Sequence, residues 1–295
     1  MILVTGGTGF IGQHLVRQLV LQGYEVRILL RPSVESPNLP TGLPVQVAVS
    51  SLSDQRGLRA ALKGINSVVH LAGTEVHGIR SNLEGVDIEG TKTLSIAAKE
   101  AGIERILYLS HLGADKSSAF PVLKAKAIAE SLITQSGIES TIFRSAVVFG
   151  PNDHFTKAFA RVIQISPFVL LIPGIGSTLL QPIWVQDLVT CMAMALGDPN
   201  SANKTYLVGG GETISFRAIL GLIMDKIEIH KRVIPIFPGY LRVLSVWLEQ
   251  NRSFPISAYW IDYLAADRIC ALDSLPRNFN LIPARFHQSL SYLAP

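Results

Sequence analysis

Cysteine is nearly absent from the 295-residue chain, which carries only Cys191 and Cys270. The two lie far apart with no metal-ligand spacing, so no metal site is expected, and such sparse use suits a reducing compartment. Cys191 falls inside the apolar helical run Leu188-Val-Thr-Cys-Met-Ala-Met-Ala-Leu196 and reads as a buried, inert thiol. Charge is also scarce: 16% of residues are charged and the net charge is +4. No block of Lys and Arg occurs, which argues against nucleic-acid binding. The longest apolar run, Ser166-Pro-Phe-Val-Leu-Leu-Ile-Pro-Gly174, is interrupted by prolines and falls short of the ~20 residues that cross a bilayer. No signal peptide is expected ahead of the first strand, since the fold pattern starts at once. The expectation is a soluble, cytoplasmic protein; attachment to the membrane periphery stays open.

What is present is apolar material, 48% of the chain, enough for a sizeable core, with 24 glycines and 16 prolines that fit the loops of an α/β protein. The chain opens on Ile2-Leu-Val4, a short buried strand. A glycine turn follows, and then the helical pattern Gln13-His-Leu-Val-Arg-Gln-Leu-Val-Leu-Gln22, closed by Gly23. Strand, glycine loop and helix in this order are the context a dinucleotide fingerprint requires. Gly6 allows the tight turn, Gly9 removes a Cβ from the path of a pyrophosphate, and Gly12 lets the helix pack close to the sheet. The anion would rest on the free N–H groups of Gly6, Gly7, Thr8, Gly9, Phe10, Ile11 and Gly12, where the helix dipole favours it.

Strand patterns follow over Tyr24–Arg31, Val45–Val49, Ser67–Gly73, Arg105–Ser110 and the start of Ser140–Gly150. Helical patterns alternate with them, among them one capped by Ser53-Asp54, one ending near Ala101-Gly102, and one over Lys124–Ser136. This alternation predicts a Rossmann-type, doubly wound parallel sheet over residues 1–150 and a smaller α/β lobe over 151–295, with some elements of the two interleaved. Ligands of such sheets lie at the carboxyl ends of the strands. The candidate site is therefore Gly6 to Gly12, Arg31, Ser51, Leu52, Leu71, Ala72, Gly73, Ser110, His111 and Ser145 to Val148, with Val147 and Val148 on the exit loop. Arg31 stands about 20 residues past the glycines, where NAD-selective sites place an acid. A guanidinium there suits a 2′-phosphate, so NADP(H) is expected in preference to NAD(H).

In the lobe, strands are expected near Pro182–Asp187 and over Thr205–Val208. Helices are expected over Phe155–Ile165, after Ser215, near Gly239–Gln250 and over Ser257–Ala266. His70 reads as a satisfied core histidine. Asp153 reads as a cap beside His154, and Trp184, Trp247 and Trp260 read as core. Leu241, Leu244, Val246 and Leu248 form an apolar face, either buried against the lobe or open to a partner or membrane.

Several motifs resemble the extended and atypical short-chain dehydrogenase/reductase superfamily. They are Thr5-Gly-Gly-Thr-Gly-Phe-Ile-Gly12, His70-Leu-Ala-Gly73, Val86-Asp-Ile-Glu-Gly-Thr91, Ser110, Lys126-Ala-Ile-Ala-Glu130, Arg144-Ser-Ala-Val-Val-Phe-Gly-Pro151 and Gln181-Pro-Ile-Trp-Val-Gln-Asp187. Within it, Ser110-His-Leu-Gly-Ala114 and Gln181-Pro-Ile are most similar to the nucleotide-binding accessory subunit of respiratory complex I and its free-standing bacterial relatives. The resemblance implies a bound NADP(H) or NAD(H), and a serine acting with a Tyr-x-x-x-Lys pair on a small carbonyl or alcohol. Ser110 and Lys126 match by position, but Val122 stands where the tyrosine belongs. Three readings follow: an oxidoreductase whose acid is Ser110, Lys126 or His111; a catalytically silent subunit holding the dinucleotide as a structural ligand; and an NmrA-like redox sensor with a protein partner. In each, Lys126 has the alternative of holding the cofactor ribose. Substrate and oligomeric state are not legible.

Overall fold

The computed structural model describes residues 1–33, 39–40, 42–74, 78, 80–251 and 254–294. The chain forms two compact units. The first comprises Met1–Thr74, Asn82–Ser145 and Leu188–Leu207; the second comprises Glu75–Ser81, Ala146–Asp187 and Val208–Pro295.

The first unit alternates strands and helices: β1 (Ile2–Thr5), α1 (Phe10–Leu21), β2 (Val26–Leu30), β3 (Val45–Val49), α2 (Gln55–Ala61), β4 (Ser67–His70), α3 (Glu89–Glu100), β5 (Arg105–His111), α4 (Pro121–Gln135) and β6 (Glu139–Ser145). Asp54 caps α2, accepting hydrogen bonds from the Arg56 and Gly57 amides. A π-helical turn, Leu83–Ile88, leads into α3. The segment before it, read as a loop over Thr74–Arg80, lies mostly outside the described residues.

The chain continues through β7 (Val148–Phe149), α5 (Thr156–Ile165), β8 (Val169–Pro173), β9 (Leu179–Leu180), β10 (Ile183–Trp184), α6 (Val185–Gly197) and β11 (Lys204–Val208). It ends with β12 (Ile214–Ser215), α7 (Phe216–Lys226), β13 (Arg232–Ile236), α8 (Pro238–Leu248), α9 (Ala258–Tyr263) and α10 (Ser274–Phe279).

The central sheet has seven strands in the order β11-β6-β5-β4-β1-β2-β3. Every adjacent pair from β3 to β6 is parallel. This is the Rossmann order, with β11 added at one edge. The apolar runs read as buried strands are buried: Leu3, Val4, Val68, Val69 and Leu107 are solvent-free. One sheet face packs Leu3, Val68, Ile106 and Tyr108 against Leu58, Leu94, Ala98 and Ile133. Each large side chain withdrawn in this way contributes about 1.5–3 kcal/mol. Arg105, at the head of β5, is buried; its guanidinium donates to the carbonyls of Ala195, Asp198 and Pro199 at 3.0–3.2 Å, tying the turn after α6 to the sheet.

The second unit contains three two-stranded pairings: β7 with β10, parallel; β8 with β13, parallel; and β9 with β12, antiparallel. Gln181 clamps its centre. The side-chain amide donates to Gly210 O at 2.7 Å and accepts from Cys270 N at 2.7 Å. Asp153 accepts from the amides of Gly150, Phe155 and Lys157 and from Thr156 Oγ1, which fixes the loop into α5 as expected. Ser215 caps α7 through the Ala218 amide.

Two expectations change here. The apolar run after Ser166 is a strand, β8, whose residues alternate in burial, and its partner β13 was not anticipated. Both contain proline, which a two-stranded edge pairing tolerates. Trp247 is not core: it is 66% exposed, on the outer face of α8 with Phe237, Tyr240 and Val243, while Leu241 faces inward. Helical spacing divides these positions between two faces, and the outer one is also apolar. Trp260 is buried and Trp184 half-buried, and Cys191 is fully buried.

Candidate functional site: a glycine cradle and a buried lysine

The loop between β1 and α1 is shaped by contacts that only glycine permits. Gly6 has φ +70°, and a Cβ there would sit 2.8 Å from Ala72 N and the Leu71 carbonyl carbon. The loop thus presses directly on the end of β4, which explains the small residues of Leu71-Ala-Gly73. At Gly12 a Cβ would lie 2.7 Å from Gly7 Cα and overlap the Gly6 carbonyl, so α1 starts in contact with the loop it leaves. Gly9 is different: its added Cβ would meet only Gly6 O, at 3.3 Å. Space over Gly9 is therefore open, as a close-approaching ligand needs.

Gly9 is also the N-cap of α1, without a side-chain cap, and no acid stands in the first turn. The leading N–H groups point out of a 12-residue helix and meet no carboxylate of their own first turn. Gly9 N donates to Gly6 O at 3.0 Å, and Gln13 Nε2 braces Thr8 O at 2.9 Å. The cradle fits a pyrophosphate.

Other predicted positions flank it on parallel strands. Arg31 follows directly on β2 and is exposed. Ser51 and Leu52 follow β3 and are half-buried, with Ser51 Oγ at 2.8 Å from Ser53 Oγ. Ser110 and His111 end β5, in register with Arg144 and Ser145 of β6. Val147 and Val148 belong to the second unit.

Beneath this rim lies a polar chain. His70 Nδ1 is 2.7 Å from Thr5 Oγ1 and Nε2 is 2.9 Å from Thr91 Oγ1. Thr91 gives its proton to Asp87 O at 2.6 Å, so it accepts from His70, and the imidazole carries its proton on Nε2. Burial, and secondarily the Lys126 charge, pushes the His70 pKa down to about 3, and the ring stays neutral. It stacks on Tyr108 at 5.4 Å. The expectation of a satisfied core histidine is met.

Lys126, on α4, is 3% exposed, and its Nζ lies 3.4 Å from Asp87 Oδ1 and 5.7 Å from the centre of the Tyr108 ring. Asp87 Oδ2 accepts from Thr74 N at 3.2 Å and Thr74 Oγ1 at 2.9 Å. Asp87 and Thr91 belong to the motif Val86-Asp-Ile-Glu-Gly-Thr91, and the pairing of Asp87 with Lys126 emerges only from the fold. Ser110 Oγ is buried without a hydrogen-bond partner among the described residues. That is an orphaned donor at a strand end, and a ligand oxygen would satisfy it. Val122 is half-buried one turn before Lys126, and Tyr108 is packed in the core, so neither supplies a phenol to the rim. No cluster of metal-ligating side chains occurs among the described residues.

A parallel sheet in this strand order, with an uncapped glycine cradle at the carboxyl end of its first strand, defines a dinucleotide-binding protein of the short-chain dehydrogenase/reductase type. Residues 6–157 match the family model described as NAD(P)H-binding, and the chain belongs to that family. Curated relatives include subunit 9 of the mitochondrial NADH dehydrogenase [ubiquinone] 1 alpha subcomplex. The Arabidopsis thaliana protein is 31% identical over 80% of this chain, which spans 60% of that protein's length. The Mus musculus protein is 28% identical over 92% of this chain and 72% of its own. An NADPH-dependent quinone oxidoreductase of Escherichia coli, solved with NADPH, shares the fold at TM-score 0.79, with 16% identity and 99% coverage of both chains.

Proposed function

We propose that the chain binds NADP(H) in preference to NAD(H) and acts as a reductase on a small carbonyl compound. The observation that carries the reading is the open, uncapped cradle at Gly9, with Arg31 at the end of the neighbouring strand. In this reading the loop Gly6 to Gly12 holds the pyrophosphate and Arg31 pairs with the 2′-phosphate. Ser51, Leu52, Leu71, Ala72 and Gly73 flank the adenosine half, while Ser145 borders the nicotinamide. A bound reduced nicotinamide supplies a hydride. Ser110 Oγ donates to the substrate oxygen, and Lys126, paired with Asp87, holds the ribose and stands as the acid that replaces the missing phenol, with His111 next to Ser110 on β5.

A second reading is favoured by Val122. The dinucleotide is then a structural ligand and the chain is a subunit of a larger assembly, as the names of the Arabidopsis and mouse relatives suggest. A cytoplasmic location, peripheral to a membrane, is proposed with it; no helix of the described residues is long and apolar enough to cross one.

One experiment separates the two. NADPH and NADH are titrated by cofactor fluorescence, and the NADPH complex is then offered a panel of aldehydes, ketones and quinones. Tighter NADPH binding with oxidation by at least one carbonyl supports the reductase. Tight binding with no turnover at any pH supports the structural ligand, and failure of both cofactors to bind overturns both readings.

A further inference from the structure

The second unit contains a buried cation with no counter-charge among the described residues. Arg268 is 5% exposed and its Nε is enclosed without a hydrogen-bond partner. Its backbone is fixed, with N donating to Leu179 O at 2.8 Å. Its guanidinium carbon lies 5.4 Å from the centre of the Tyr263 ring, and this is the side chain's only described partner.

Two acids close to it in sequence are engaged elsewhere, Asp273 is exposed and forms no ion pair with it among the described residues, and the nearby phenol and thiol are neutral. Asp267 accepts from Leu179 N at 2.8 Å, and Asp262 holds Arg242. Burial raises the pKa of Tyr263, keeping it a phenol, and burial raises the Cys270 thiol as well. An enclosed guanidinium without an acceptor costs several kcal/mol unless something neutralises it. Stacking on an aromatic face leaves the planar edge of the fork free, and that edge matches the two oxygens of a carboxylate or phosphate.

We infer that Arg268 is the anchor for an oxyanion, a carboxylate or phosphate carried by the substrate, with Tyr263 as its backing plate. The Tyr263 hydroxyl lies at the backbone amide of Val147. Assigning the anion to the substrate rests on the reductase reading above.

The test is thermal unfolding of the full chain in Tris-chloride, first saturated with NADPH so that the glycine cradle is filled, then titrated with sodium acetate or inorganic phosphate. The parent protein gains about 2 °C or more with at least one of the two anions. Arg268→Met loses this rise, keeps the NADPH-induced rise, and in Tris-chloride without added acetate or phosphate unfolds no lower than the parent, because an uncompensated charge has been removed. Arg268→Lys keeps the charge without the fork and gives a smaller rise. Acetate alone, or phosphate alone, identifies the group. A parent indifferent to both anions, or a rise that survives Arg268→Met, overturns the inference. A lower melting temperature for Arg268→Met in Tris-chloride without added acetate or phosphate assigns the residue to packing and overturns it too. If Arg268→Met abolishes the NADPH-induced rise, the anion belongs to the cofactor, and the substrate assignment falls. If NADPH produces no rise in the parent, the cofactor reading fails on its own, and the anion titration of the free protein still decides Arg268.

Discussion

Lys126 Nζ and Asp87 Oδ1 form an ion pair at 3.4 Å between side chains that are 4% and 1% exposed. At that depth removing either partner leaves a charge with little access to water. Lys126→Met leaves a buried carboxylate and Asp87→Asn leaves a buried ammonium; each is expected to destabilise the protein by about 3–5 kcal/mol. The double variant recovers a large part of the loss. Urea unfolding of the four proteins measures the coupling, and additive single effects would contradict it.

Gly9 and Gly12 respond differently to the same methyl group. Gly12→Ala forces α1 away from the Gly6 carbonyl and lowers stability. Gly9→Ala requires only a small shift of Gly6 O, at φ −77°, and keeps the melting temperature within about 2 °C. It nevertheless weakens NADPH at least tenfold by blocking the pyrophosphate. A Gly9→Ala protein that binds NADPH normally would remove the loop from the cofactor site.

His70 makes stability depend on pH. Its pKa falls from 6.5 in the unfolded chain to about 3 in the native state. Between those values the unfolded chain takes up a proton that the native imidazole refuses, so stability decreases as the pH drops through this window. At pH 5 the loss from this group is about 2 kcal/mol relative to pH 7. Denaturant midpoints at the two pH values should show it in the parent and lack it in His70→Gln. The His70 nitrogen resonances should stay those of a neutral Nε2–H ring down to about pH 4.

Arg31 sets the cofactor preference in the proposed reading. Arg31→Asp is expected to weaken NADPH by a factor of ten or more and to strengthen NADH, because a carboxylate repels the 2′-phosphate and accepts from ribose hydroxyls. Paired fluorescence titrations measure the switch. Tighter NADH than NADPH binding by the parent would exclude this role for Arg31.

Gln181 satisfies backbone groups on both of its amide atoms. Gln181→Leu strands Gly210 O and Cys270 N and should cost about 2–4 kcal/mol. A chemical denaturation curve checks it, and an unchanged midpoint would show that water replaces the amide.

The first unit was legible because its signals are local. Glycines at Gly6, Gly9 and Gly12, apolar runs of strand length and caps such as Asp54 each act within a few residues of themselves. The second unit was less so. β8 and β13 pair across a long stretch of chain, carry prolines and are too short for a period to stand out. Asp87 was visible only as a motif letter, since its partner Lys126 comes from a later helix. For Arg268 the informative property is the lack of an acceptor, which exists only in three dimensions. Trp247 was misplaced because α8 is apolar on both faces, and composition alone does not rank them.

The order in which the chain visits its sheet has an evolutionary corollary. Its edge strand, β11, and the carbonyls that hold Arg105 both come from residues later than the segment 146–187. Recombination at a single crossover near residue 150 would trade away a strand of the nucleotide fold along with the lobe. This architecture therefore resists cassette exchange, and new ligand preferences must arise by substitution within the intervening segments.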